Sequence, residues 1–123
     1  VDGWTAKRQQ NAAYLSAGIT AVPTPVTAPG AVHVFHQYTV RVADDRDGFV
    51  KALRDEHGVG SGVYYPIPNH RLPSLAPFAP GLDLPETEKA AREVVSLPVH
   101  PSLSRRDLDR IIAAVNAVAG AGA

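Results

Sequence analysis

HVFHQYTVRV, residues 33–42, alternates its side chains and is rich in β-branched and aromatic residues, the pattern of a half-buried strand. With period 2, Val34, His36, Tyr38, Val40 and Val42 share one face, and His33, Phe35, Gln37, Thr39 and Arg41 the other. The first face is apolar enough to pack on helices. The second is polar without the scattered charge of a solvated face, and is expected to cover something. One strand cannot bury a face alone, so the flanking segments decide the fold.

Upstream, residues 4–16 are rich in helix formers and run to Gly18, with Trp4, Ala12 and Leu15 on one face. Pro23, Pro25 and Pro29 make residues 20–31 an irregular connector. Downstream, residues 43–58 read as a helix with an aspartate cap, a buried stripe of Phe49, Val50 and Leu53, and a stop at Gly58. Residues 60–66 read as a second strand, followed by a proline-punctuated loop over 71–84. A third helix is expected from Pro85, burying Ala90, Ala91, Val94 and Val95, and a short third strand over 96–99. Ser104 with Asp107 three residues on is a capping-box variant, opening a helix with Leu108, Ile111, Ile112, Val115 and Val118 on its apolar stripe. The terminal Gly-Ala-Gly-Ala, residues 120–123, is expected to fray. The order predicts an α+β fold: a small, mostly antiparallel sheet of about three strands with helices on one face. The other face, with Phe35, Gln37 and Arg41, is left to a partner.

A chain of 123 residues fits one domain. Twelve basic residues balance twelve acidic ones, so nothing favours nucleic acid or an anionic membrane as partner. No apolar run in the 123 residues approaches the roughly 20 that span a bilayer, and no stretch of them has a secretory-signal pattern. There is no cysteine, which removes disulfide and thiolate chemistry. A cytoplasmic setting follows as the expectation. The chain starts at Val1 and contains no methionine, and is expected to be a piece of a longer protein.

The five histidines do not form a metal motif: His33 and His36, three apart on a strand, point to opposite faces. His57, at a helix C-terminus, reads as a dipole-compatible surface residue, and His100, between prolines, as structural. Gly60-Ser61-Gly62 is too short for a nucleophile elbow or a phosphate loop and suits a strand start or bulge. Asp44, Asp45 and Asp47 read as capping and solvating residues. Lys7, Lys51 and Lys89 lie on polar helix faces, without the buried setting of a Schiff-base lysine. VYYPIPNH, residues 63–70, stands apart. Its prolines fix their own φ and bias Tyr65 and Ile67 towards extended backbone, making a stiff arm that ends in His70. Two phenols and an imidazole on such a support suit the orientation of a polar ligand. The spacing fits equally well a packed loop with a hydrogen-bonded histidine.

RQQNAAYL, HVFHQYTVRV, RDGFVKAL, GVGSGVYYPIPNH, LPETEKAAREVVSLPVHPSLS and DLDRIIAAV follow one another in this order. Together, over roughly residues 4–118, they resemble the C-terminal third of the DegT/DnrJ/EryC1/StrS family of pyridoxal-phosphate-dependent sugar aminotransferases. The resemblance implies the small domain of the aspartate aminotransferase fold (type I), with residues 1–18 as an interdomain-type helix and 19–123 as a C-terminal small α/β domain. It implies that the large pyridoxal-phosphate-binding domain, with the Schiff-base lysine, lies outside this stretch. The chain alone then has no catalytic residue, binds no cofactor covalently and is inactive. The parent would be a homodimer moving an amino group from an amino-acid donor to a keto-sugar nucleotide. In the family the stiff arm lines the substrate side, so Tyr65 and His70 carry over first, then Tyr64, then His36, Gln37 and Arg41. Arg71 and Leu72 follow His70 where relatives often show a glutamine nearby. Two other readings are a sugar dehydratase relative and a free-standing α+β binding or dimerisation module.

Overall fold

The alternation of residues 33–42 becomes a strand over four residues only, β1 (Tyr38–Arg41), in the computed structural model, which describes residues 1–121. Its partner β2 (Val94–Leu97) runs antiparallel, pairing Tyr38 with Leu97, Thr39 with Ser96, Val40 with Val95 and Arg41 with Val94. Continuing the register would set Gln37 against Pro98, which has no N–H to donate, so the ladder stops there. Before it, Phe35 is left-handed (φ 49°), and its N–H donates to His33 Nδ1 at 2.8 Å. That local bond competes with strand pairing. Residues 33–37 are thus irregular rather than extended, and Val34 and His36 are exposed instead of sharing the apolar face of Tyr38.

The expected second strand, 60–66, shrinks to one bridge. Gly62 N–H donates to Ser96 O at 2.9 Å, and Ser96 N–H to Gly62 O at 2.8 Å. β2 therefore lies between β1 and Gly62. Pro66 and Pro68 cannot donate to a ladder, and Tyr65 is left-handed (φ 56°) rather than extended as its place before a proline suggested. The third strand also starts earlier than expected. Helix α3 (Pro85–Glu93) passes directly into β2, so Val94 and Val95 belong to the sheet.

The helices follow their local signals. α1 (Asp2–Gly18) ends where Asn116 closes it: Asn116 Nδ2 donates to Gly18 O at 2.9 Å, and its Oδ1 accepts from Thr20 N at 2.9 Å. α2 (Arg46–His57) is capped by Asp45, whose carboxylate accepts from Gly48 N, and stops at the left-handed Gly58. α4 (Arg105–Ala121) opens on the reciprocal Ser104–Asp107 bonds. It takes in Gly120 and Ala121 of the expected frayed tail; residues 122–123 lie outside those described.

α2 packs on α4 and β2, and α1 on α4. The core joins Ala12, Leu15, Tyr38, Val40, Leu53, Val95, Leu97, Leu108, Ile111 and Val115. The helices thus cover one sheet face. On the other, Thr39 and Ser96 join hydroxyls at 3.0 Å. Trp4, grouped by spacing with Ala12 and Leu15, is 69% exposed, while those two are buried. No helix among the described residues is long and apolar enough to cross a membrane.

Candidate functional site

At the end of the sheet where β1 begins, a groove of about 470 Å³ is lined by Arg8, His36, Gln37, Tyr64, Ser96 and His100, with Gly60–Gly62 as part of its wall. Three of the six sequence-predicted site residues meet there: His36, Gln37 and Tyr64. The irregular stretch before β1 positions the first two, and α1 holds that stretch. Arg8 donates to the carbonyls of Phe35 and His36, both at 3.3 Å, and Gln9 donates to His33 O at 3.0 Å.

Tyr64 is positioned by the glycine beneath it. A Cβ on Gly62 would stand 2.8–3.0 Å from the ring and hydroxyl of Tyr64, so only glycine lets the phenol lie so close to the bridge. Next to it, Ser61 Oγ is buried and has no hydrogen-bond partner among the described residues. A bare buried hydroxyl costs about 1–3 kcal/mol, and this one lies in the groove wall.

The other three predicted residues lie elsewhere. Tyr65 projects from the arm, 79% exposed; a bulky residue held left-handed stores about 1–3 kcal/mol and marks functional segments more often than others. His70 is buried in a 3₁₀ turn, Asn69–Arg71, with its Nε2 3.0 Å from Glu88 Oε1. Arg71 donates to the same oxygen through Nε at 3.1 Å and a terminal nitrogen at 2.7 Å. Arg41 pairs with Glu93 at 3.1 Å on the wall of a second cleft of about 880 Å³.

Glu88, an acidic residue in the first turn of α3, was not among the site residues singled out from the sequence. Its carboxyl is held below the usual glutamate range, first by the His70 bond and then by the Arg71 bonds, with burial acting the other way. A carboxyl depressed in the fold stabilises it above the unfolded chain's value, about 4, and that gain is lost as pH falls through the lower, folded value. The difference in melting temperature between wild type and Glu88→Gln should therefore shrink on acidification below about pH 4. Asp83, next to Arg71, is the other acid facing this cluster. A difference that stays constant through the acid range would show that the charge of Glu88 does not matter.

Among the described residues, no three His, Asp or Glu side chains converge as a metal site. Nor do the residues present fit pyridoxal phosphate as a covalent ligand. Lys7, Lys51 and Lys89 are all exposed, and Lys51 is paired with Asp55 at 3.0 Å.

The profile of the DegT/DnrJ/EryC1/StrS aminotransferase family matches residues 1–116. Over 119 residues the chain is 39% identical to the Pleiotropic regulatory protein of Geobacillus stearothermophilus, covering 91% of this chain and 31% of that one. It is 40% identical over 119 residues to the dTDP-3-amino-3,4,6-trideoxy-alpha-D-glucose transaminase of Streptomyces venezuelae, covering 94% of this chain and 31% of that enzyme. The crystal structure of S. venezuelae DesV in complex with a ketimine intermediate superposes with a TM-score of 0.88 at 38% identity, covering 96% of this chain and 32% of that one. An aminotransferase structure from Brucella abortus gives 0.86 at 30% identity, again over 96% of this chain and 32% of the other. The chain thus spans about a third of the length of these relatives. Matched by the family profile from residue 1 to residue 116, the chain belongs to the DegT/DnrJ/EryC1/StrS aminotransferase family.

Proposed function

We propose that this chain is the C-terminal small domain of a pyridoxal-phosphate-dependent aminotransferase acting on a keto-sugar nucleotide, and that it covers the substrate side of the active site. Residues 1–18 serve as the interdomain helix and 19–123 as the small domain. The observation that carries this reading is the groove: His36 and Gln37, carried by the stretch that α1 holds, and Tyr64, lying close over Gly62, meet at one end of the sheet. Relatives named as sugar transaminases support the substrate class, among them the S. venezuelae enzyme and a UDP-2-acetamido-2-deoxy-3-oxo-D-glucuronate aminotransferase of Pseudomonas aeruginosa, 38% identical over 112 residues. A Bacillus subtilis relative named 3-oxo-glucose-6-phosphate:glutamate aminotransferase, 36% identical over 83 residues, supports glutamate as donor.

On this reading the cofactor's lysine belongs to a preceding large domain, and the enzyme works as a cytoplasmic homodimer. The cofactor would supply the electron sink; this chain binds and orients the sugar. Tyr64, His36 and Gln37 line the substrate, whereas Tyr65 projects from the arm, His70 is held by Glu88 and Arg41 by Glu93. The second reading, a non-catalytic binding module, is favoured by the regulatory name of the Geobacillus relative and by the exposure of all three lysines.

The test uses the protein encoded by the whole reading frame. With pyridoxal phosphate and glutamate it should aminate a keto-sugar nucleotide. Borohydride reduction followed by peptide mapping should find no adduct at Lys7, Lys51 or Lys89. A specific adduct at one of these would overturn the assignment of the lysine, and a reading frame without a large domain would favour the binding module.

A further inference from the structure

The segment Val63–Asn69 is a strap fastened at both ends. Upstream, Gly62 makes two backbone hydrogen bonds to Ser96, at 2.9 and 2.8 Å. Downstream, His70 and Arg71 put three nitrogens on one oxygen of Glu88, in the first turn of α3. Between the fastenings Tyr64, Tyr65 and Ile67 are all at least half exposed, at 52%, 79% and 50%. Residues 63–69 share no strand ladder with the sheet. Tyr65 is left-handed, a conformation that persists only where its surroundings impose it.

The two fastenings are not equivalent. The Gly62 end is backbone on backbone and uses no side chain. The Glu88 end is ionic and depends on a single carboxylate. The side chain of His70 is 5% exposed and that of Glu88 23%, so water competes weakly there, whereas Arg71, at 57%, closes the cluster from outside. Charge-assisted bonds of this kind are the stronger class.

We infer that Glu88 is the positioning residue of the strap: by holding His70 and Arg71 it sets where Tyr64 stands in the wall of the groove. The inference rests on the sugar-aminotransferase reading only for what the strap meets; the fastening itself does not depend on it. His70 then acts as the buried peg through which Glu88 holds the strap, its Nε2 turned to the carboxylate and away from substrate.

The experiment pairs Glu88→Ala with Glu88→Gln in the whole enzyme and reads two quantities. The first is amide exchange at Arg71 and Leu72, whose N–H groups close the turn on Pro68 O at 2.9 Å and Asn69 O at 3.1 Å. In Glu88→Ala their exchange should rise about tenfold or more, with core amides of β1 and α4 unchanged. The second is KM for the sugar nucleotide, which should rise about tenfold while kcat and the amino-donor half-reaction stay within about twofold. Glu88→Gln keeps an acceptor oxygen and should restore part of both. Arg71→Ala, at an exposed position, provides a milder variant should Glu88→Ala fail to fold, and should move both readouts in the same direction. Unchanged exchange in all three variants overturns the fastening. Raised exchange with an unchanged KM overturns the positioning role. A wild-type enzyme without sugar turnover sinks the aminotransferase reading, while the exchange arm still decides the fastening.

Discussion

Tyr38→Ala should lower the free energy of unfolding by about 3–5 kcal/mol, the range for removing a large aromatic side chain from a packed core. Tyr38 is completely buried, at the meeting of α1 with the sheet. Its hydroxyl lies 2.8 Å from Ser16 Oγ, and its ring tilts against Phe35 at 6.2 Å between centroids. Burial raises the phenol's pKa, while bonds to Ser16 and Thr24 pull the other way, so it stays a neutral hydrogen-bonding group throughout the physiological range. Tyr38→Phe should cost only about 1 kcal/mol, the net worth of a typical hydrogen bond. Urea denaturation of the chain measures both. The total is a few kcal/mol on the scale of 5–15 for a whole domain, so Tyr38→Ala should populate the unfolded state visibly. Equal small losses in the two variants would mean that the α1–sheet contact is loose and that the packing around residue 38 has been misread.

What the sequence disclosed and what it hid divide along a physical line. Helix ends were legible because they are written locally: Asp45 reaches Gly48 N, Ser104 and Asp107 exchange bonds, and Gly58 turns left-handed. Each needs neighbours only three or four residues away. Strand extent was not legible, because it depends on the partner. Residues 33–37 carry the alternation of a strand, yet the facing position is Pro98, and the His33 ring captures the Phe35 N–H. Residues 60–66 likewise look extended and make one bridge. The period-2 pattern was right where Tyr38 and Val40 face the core, and silent on where pairing stops.

The site was legible to the same degree. His36, Gln37 and Tyr64 could be named from sequence, and they gather at one groove. Arg8 and Glu88 could not, because each acts on a segment 17 or more positions away in sequence: Arg8 on Phe35 and His36, Glu88 on His70 and Arg71. The clue to Glu88 lay in the pairing of a basic Asn-His-Arg turn with an acidic first helical turn, which becomes informative only when the intervening loop is seen to bring them together. Ser61 offered no clue beyond its flanking glycines.

On the proposed sugar-aminotransferase reading, Tyr64→Ala in the protein encoded by the whole reading frame should lower kcat/KM for the sugar nucleotide by about 10- to 100-fold, a loss of roughly 1.4 kcal/mol of transition-state binding per decade. The amino-donor half-reaction should stay within about threefold, since it makes no use of sugar contacts. Tyr64 tests substrate orientation more cleanly than His70, whose side chain is 5% exposed with Nε2 already engaged by Glu88. Tyr64 is 52% exposed, and exposed substitutions usually change stability by no more than about 0.5 kcal/mol, so a functional loss would not be confounded by unfolding. Gly62→Ala provides an independent route to the same position, because its Cβ would come within 2.8–3.0 Å of the ring and force the phenol to move. If Tyr64 orients the sugar, the two variants should lose the same half-reaction. Single-turnover spectroscopy measures the halves separately. Losses shared equally between the halves and tracking a lower melting temperature would instead make the strap a packing element, leaving substrate recognition to His36 and Gln37, which line the same groove.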